Sequence, residues 1–318
     1  MTIAPPRDGP EARLDSGARR FLDLLAAAAK RRAGAPTLEE LRAATDGLAA
    51  FAAPPPPVER RYETLAEGRV AARVYTPRDG SDAPSPALLY FHGGGWISGG
   101  LESHDAVCAT LSARGLCRVI AVDYRLAPEH RFPAALEDGA AALRVIAADP
   151  RRFGVDPNRL GIAGDSAGAN LAVVLARETP TPLALQLLLC PVMRPLGRTN
   201  SRAALASGWL IEEATMARYW DFYRVPGLAP DDPRVAPLCG GDFASLPPAL
   251  IHVAGFDPLR DEGELYAAAL TAAGGRAEVV VHAGLIHHFY GLGGVIPAAR
   301  PAFDSVCEGL RRAWATMA

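Results

Sequence analysis

Seven short apolar runs, most of them separated by stretches of helical periodicity, constrain this chain more than anything else in it. They are VAARVY, ALLYF, RVIAVDY, LGIAG, LALQLLLC, ALIHVAG and AEVVVHA, beginning at Val70 and ending at Ala283. Several are apolar throughout, as strands are when both faces of their sheet are covered. The intervening FPAALEDGAAALRVIA, AGANLAVVLAR and EGELYAAALTAAG repeat their apolar residues at helical spacing. Alternation of this kind predicts an α/β fold, a mostly parallel central sheet with helices on both faces. The 318 residues are enough for one large domain of that type with insertions, and no repeat at a solenoid period is present.

Two regions stand outside the alternation. From Glu11 to about Ala33, Leu14, Ala18, Phe21, Leu22 and Leu25 recur at helical spacing, and a second helix follows with Thr37 and Glu40 placed as a capping box. The run Ala53 to Pro57, APPPP, cannot continue a helix and reads as a stiff connector. The expected division is therefore residues 1–57 as N-terminal helices and connector, and 58–318 as the main domain, with an insertion at about 196–226. That insertion carries Trp209, Tyr219 and Trp220 in an aromatic-rich helical segment where a short connection is expected. Its aromatics suit either a core or, with the N-terminal helices, a lid over a pocket.

Charge adds exclusions. A formal net charge of −2 gives no electrostatic case for nucleic acid or an anionic membrane. Five scattered cysteines without a C-x-x-C pair indicate neither a disulfide framework nor a zinc site. The first residues lack a basic and then apolar layout, and no run is long enough to span a bilayer, so a cytoplasmic protein is expected.

The chemistry gathers at GDSAG, where Gly164, Ser166 and Gly168 form G-x-S-x-G between an apolar strand and an Ala-rich helix. A nucleophile on a sharp strand-to-helix turn leaves no room for side chains two positions either way. Such a turn sets the serine at a helix N-terminus, where unpaired N–H groups favour developing negative charge, and makes the Ala167 N–H an oxyanion donor. One donor is worth only about 3 kcal/mol of transition-state stabilisation, so a second source is needed. HGGGW provides it, since Gly93, Gly94 and Gly95 directly follow an apolar strand. His92 heads that loop and is expected to brace it.

A serine hydroxyl also needs an imidazole to take its proton and a carboxylate to hold the imidazole. In a fold of this kind both partners follow the serine, on loops after later strands. Asp257 lies just past one such strand; Asp261, Glu262 and Glu264 suit the exposed, acid-favouring first turn of the next helix. Of the seven histidines, His92, His104 and His130 precede the serine, His252 lies within a strand and His282 at the end of one. His287 and His288, in GLIHHF, remain as alternatives for the base.

With these residues assembled, the chain resembles the bacterial hormone-sensitive-lipase-like (family IV) esterases of the α/β-hydrolase fold. The resemblance runs from about Val70 to the C-terminus and rests on HGGGW, DYRLAPEHRFPAALEDG, GDSAGANLA, LPPALIHVAGFDPLRDEGELYAAAL and GLIHHF. It implies Ser166 as nucleophile, Asp257 as acid, and an oxyanion hole of Gly94, Gly95 and Ala167, with Gly93 the weaker candidate. Gly284, Ile286 and Phe289 set a register in which His287 is the catalytic base and His288 replaces a glycine. A cap built from the N-terminal helices and the Trp209–Trp220 segment is also implied. The expected activity is hydrolysis of short- to medium-chain acyl esters without metal or cofactor; amide or lactone hydrolysis by the same triad, and a non-catalytic receptor on the same scaffold, are the alternatives. Trp96, Trp209, Tyr219, Trp220 and His288 are expected around the substrate, a small-molecule ester, and the last strand leaves homo-oligomerisation open.

Overall fold

The computed structural model describes residues 13–30, 34–78 and 83–317. The expectations for the first twelve residues, and for both ends of a helix drawn from Glu11 to Ala33, lie outside these; the described part of that helix is α1, Ser16–Ala29. Asp15 caps it, accepting from the Gly17 and Ala18 N–H groups. The second helix, α2, spans Leu38–Gly47 and begins with the expected capping box, Thr37 with Glu40.

An eight-stranded sheet follows, in the spatial order β1-β2-β4-β3-β5-β6-β7-β8. Strands β1 (Val58–Leu65), β2 (Val70–Pro77), β3 (Ser85–Phe91) and β4 (Arg118–Asp123) form its first half; β5 (Val155–Asp165), β6 (Gln186–Leu189), β7 (Ala249–Phe256) and β8 (Ala277–Ile286) form the second. The β1/β2 and β2/β4 pairs are antiparallel and the remaining pairs parallel. β1 corrects the expected count of seven. Its sequence VERRYETL is charged and largely exposed, so an apolar pattern never marks it. β8 also runs to Ile286, which puts His282 inside the strand rather than at its end.

Helices α3 (Asp105–Gly115) and α9 (Ala299–Ala315) cover one face, and α4 (Ala134–Ala148), α5 (Ala167–Glu178) and α8 (Arg260–Ala272) the other. β3 shows why its run is apolar throughout: Ala87, Leu89 and Phe91 enter one buried cluster while Leu88 and Tyr90 enter the other. The segment between β6 and β7 holds α6 (Asn200–Ala204) and α7 (Glu213–Tyr223).

The first turn of α8 is not the exposed acidic turn expected from sequence. Glu262 is fully buried: Oε1 accepts from Arg202 Nε at 2.6 Å and Oε2 from the Met193 and Arg194 N–H groups. Asp261 is buried too and accepts from the Ser201 N–H at 2.8 Å. These acids fasten α6 to α8, a use that local spacing cannot distinguish from helix capping.

Candidate active site

Ser166 stands between the end of β5 and the start of α5 with φ 52° and ψ −117°, a conformation L-residues rarely adopt. The packing around it explains the flanking glycines. A Cβ on Gly164 would lie 2.5 Å from the Gly168 carbonyl, and one on Gly168 would lie 2.0 Å from Phe91 O. The end of β3 therefore abuts the first turn of α5, which brings the glycine loop beside the serine.

Within that loop Gly94 and Gly95 have positive φ, 115° and 62°. Gly93 differs: its N–H donates to Asp165 Oδ1 at 2.9 Å, so the N–H groups of Gly94 and Gly95 are the loop's remaining candidates for binding an anion. His92 braces the turn, its Nδ1 meeting Gly93 O at 2.8 Å and its ring stacking on Tyr124 with centroids 4.2 Å apart. Helix α2 supports the loop from outside through Thr45 Oγ1 to Ser98 Oγ at 2.9 Å, and Ser98 Oγ donates on to Gly94 O at 2.7 Å.

Asp257 is fully buried just after β7, with His287 just after β8. His287 Nδ1 lies 2.7 Å from Asp257 Oδ2, while Asp257 Oδ1 accepts the Leu259 N–H at 2.9 Å. A carboxylate only accepts, so Nδ1 carries the proton and the lone pair is on Nε2. Ser166, Gly94, Gly95 and His287 all line one cavity of about 330 Å³. Its walls include Leu22, Leu25 and Leu48 from the N-terminal region, and Trp209, Ile211 and Tyr219 from the segment between β6 and β7.

The expected aromatics divide. Trp209 and Tyr219 line the cavity; a Cβ on Gly95 would fall 2.3 Å from Tyr219 Cδ2, so this ring rests directly on the glycine loop. Trp96 stacks on Tyr223 at 4.7 Å and borders a separate small hollow that also touches Ser166. Trp220 is not at the cavity. It is buried in the main core, because successive side chains on α7 point about 100° apart and Tyr219 takes the position toward the cavity.

His288 lines the cavity in the left-handed conformation, φ 62° and ψ 20°, which is the backbone a glycine would adopt most readily. Its imidazole meets His104 and Tyr290 edge-on, at 5.8 and 4.8 Å between centroids. Burial, with His104 adding to it, pushes the ring down to about 3. Sequence reasoning missed His104 and Asp165 as part of this site. Asp165 Oδ1 accepts from Tyr90 and Gly93, and Oδ2 from Tyr290 at 2.8 Å, with His104 Nε2 at 3.3 Å. Burial would raise this carboxyl, but His104 and the surrounding donors hold it well below the ordinary carboxylate range. The only sequence signal for Asp165 was its place beside the serine.

Comparison with known proteins identifies relatives of the whole fold. A family model described as the α/β-hydrolase fold matches residues 88–291. The carboxylic ester hydrolase LipN of Mycobacterium tuberculosis is 42% identical over 238 residues, 71% of this chain; the chain spans 62% of that relative's length. Ethyl acetate hydrolase of Pseudomonas putida is 37% identical over 247 residues, 76% of this chain and 77% of the relative. Among solved structures, an ester hydrolase from the metagenome of Lake Arreo, complexed with a derivative of bipyridine phosphonate, superposes with a TM-score of 0.87 at 36% identity, covering 94% of this chain and 98% of its own.

Proposed function

Since this chain belongs to the α/β-hydrolase fold family, in its hormone-sensitive-lipase-like branch, we propose that it is a serine carboxylesterase acting on short- to medium-chain acyl esters. The observation that carries the reading is His287, held 2.7 Å from buried Asp257 and lining the same cavity as a serine on a strained elbow. Relatives named as carboxylic ester hydrolase and ethyl acetate hydrolase support esters as the substrate class.

In this mechanism Ser166 Oγ attacks the ester carbonyl carbon while its proton passes to His287 Nε2. Asp257 holds the ring and stabilises the imidazolium that forms. The carbonyl oxygen, now an alkoxide, is met by the N–H groups of Gly94, Gly95 and Ala167. Collapse of the tetrahedral intermediate expels the alcohol, which takes the proton from His287 and leaves an acyl-Ser166 ester. Water then repeats the sequence: His287 removes its proton, the acid departs and Ser166 Oγ is reprotonated.

A cavity of about 330 Å³ stands at the lower end of the range of about 300–1,000 Å³ usual for small-molecule sites, in keeping with short acyl chains. In this reading α1, α2 and the 196–226 segment are a cap over a catalytic unit of residues 58–318. Arg218 of α7 donates to Pro36 O, and α2 reaches the glycine loop, so the two parts of the cap and the loop touch one another. Among the described residues no helix is long and apolar enough to cross a membrane. Ser166→Ala should abolish hydrolysis of a short p-nitrophenyl ester with unchanged thermal unfolding; retained turnover would overturn the assignment.

A further inference from the structure

His104, Asp165 and His288 transfer no proton in the reaction proposed above, yet all three line its cavity and are buried. One nitrogen or oxygen from each lies within 4.8 Å of the other two. We propose that they form a site for a divalent transition-metal ion of the zinc class, whose occupation inhibits ester hydrolysis.

The geometry and chemistry agree on this ion. Zinc takes imidazole nitrogen and carboxylate oxygen at about 2.0–2.2 Å, and the edge of a tetrahedron with such bonds is about 3.3 Å. His104 Nε2 and Asp165 Oδ2 are 3.3 Å apart, a slack hydrogen bond and a fitting ligand edge. Both ligands have the outer partners that orient metal-binding groups. His104 Nδ1 meets Ser103 Oγ at 2.9 Å, which allows a proton there and the lone pair on Nε2. Asp165 Oδ1 is held by Tyr90 and Gly93, while Tyr290 occupies only one lone pair of Oδ2.

His288 completes the trio, and it is the residue by which this chain departs from the glycine of the esterases it resembles. The left-handed backbone at φ 62° turns the imidazole inward, and Gly291 leaves room for it: a Cβ there would lie 2.2 Å from His288 Nε2. On binding, His104 takes the tautomer with its proton on Nδ1 toward Ser103 Oγ, so the proton that Nε2 shared with Asp165 exchanges through solvent to Nδ1, no net proton is released, and Nε2 gives its lone pair to the ion. All three residues line the cavity that also holds Ser166, so an ion bound among them obstructs the ester.

The binding arm of the test is independent of the proposed function; only the inhibition arm rests on it. Co²⁺ added to the metal-free protein should bind with one equivalent and give the intense visible absorption of a tetrahedral ion, equally in Ser166→Ala. His288→Gly and His104→Asn each remove a direct ligand and should weaken Co²⁺ and Zn²⁺ binding by more than the roughly 100-fold that loss of an outer partner can cost, with thermal unfolding confirming that each variant is folded. The Zn²⁺ concentration that halves ester hydrolysis, relative to each variant's own metal-free rate, should rise by the same factor. Cys190, Asp257 and His287 also bring ligand atoms within 4.8 Å of one another, so Cys190→Ser is the discriminating control. Loss of binding in that variant, unchanged binding in both histidine variants, or no Co²⁺ binding by the unmodified protein would each overturn the proposal. An inactive protein that still binds Co²⁺ through His288 would refute the esterase reading and leave the metal site standing.

Discussion

Gly168→Ala probes the packing on which the whole site depends. The added methyl would stand 2.0 Å from Phe91 O and 2.4 Å from His92 O, where an ordinary carbon–oxygen contact needs about 3.3 Å. The start of α5 and the end of β3 must therefore part by about 1.3 Å, and both obstructing atoms are backbone, which cannot rotate away. Overpacking of this kind costs about 1–3 kcal/mol of stability, and this contact belongs at the upper end. Phe91 and His92 lead directly into Gly94 and Gly95, so the displacement moves the glycine loop, the oxyanion hole in the proposed mechanism, away from Ser166. A misplacement of about 1 Å costs about 100-fold in rate, or about 2.7 kcal/mol in the barrier. The assay is kcat and KM for p-nitrophenyl acetate beside urea unfolding, with the loss expected in kcat. Gly47→Ala is the control, because nothing lies within 4 Å of a Cβ there; it should be neutral or stabilising by up to about 1 kcal/mol. Wild-type kcat together with wild-type stability in Gly168→Ala would refute the argument that this junction sets the site.

Asp257→Asn leaves His287 without the acceptor that fixes its tautomer and should lower kcat by about 10⁴-fold, measured by steady-state ester hydrolysis with thermal unfolding as the check on folding. His287→Ala should cost several orders of magnitude in turnover and His288→Ala far less; the reverse would mean the register of this loop is misread. Arg202→Met removes the partner of fully buried Glu262 and should cost about 3–5 kcal/mol in urea unfolding. Burial, aided by His104 for one and by His282 and Arg312 for the other, pushes His92 and His252 to about 3. Folded values below the unfolded value of about 6.5 mean that the unfolded chain binds protons first, so stability is whole above about pH 6.5 and is lost as the pH falls toward 3. Between pH 7 and 5 each should remove about 2 kcal/mol, and flat stability across that interval would contradict their burial as neutral rings.

How far these features could be read from sequence depended on whether local pattern or tertiary packing decides them. The apolar runs located seven of eight strands, including β8, which is mostly half-exposed but keeps Val279, Val280 and Val281 together; β1 escaped because its VERRYETL is charged and faces water along most of its length. Strand ends confine Ser166, Asp257 and the His287–His288 pair to loops, which made those positions legible, while only the register implied by the resemblance separates His287 from His288. The register around Gly284 and Phe289 also anticipated that His288 replaces a glycine, and its φ of 62° is that of one. Trp220 looked equivalent to Tyr219 until the helix's rotation was known, and no local signal gives that rotation. Glu262 read as a helix-capping acid because Arg202, its partner, is sixty residues away in the chain. The meeting of His104, Asp165 and His288 was hidden for the same reason: three separate elements bring them together.

The central claim is that Ser166 is a nucleophile activated by His287, and covalent labelling tests it most directly. After reaction with a fluorophosphonate, peptide mapping by mass spectrometry should find one adduct, on Ser166, formed far more slowly in His287→Ala and absent in Ser166→Ala. An adduct on another residue, or no adduct from a protein that still hydrolyses p-nitrophenyl esters, would contradict it.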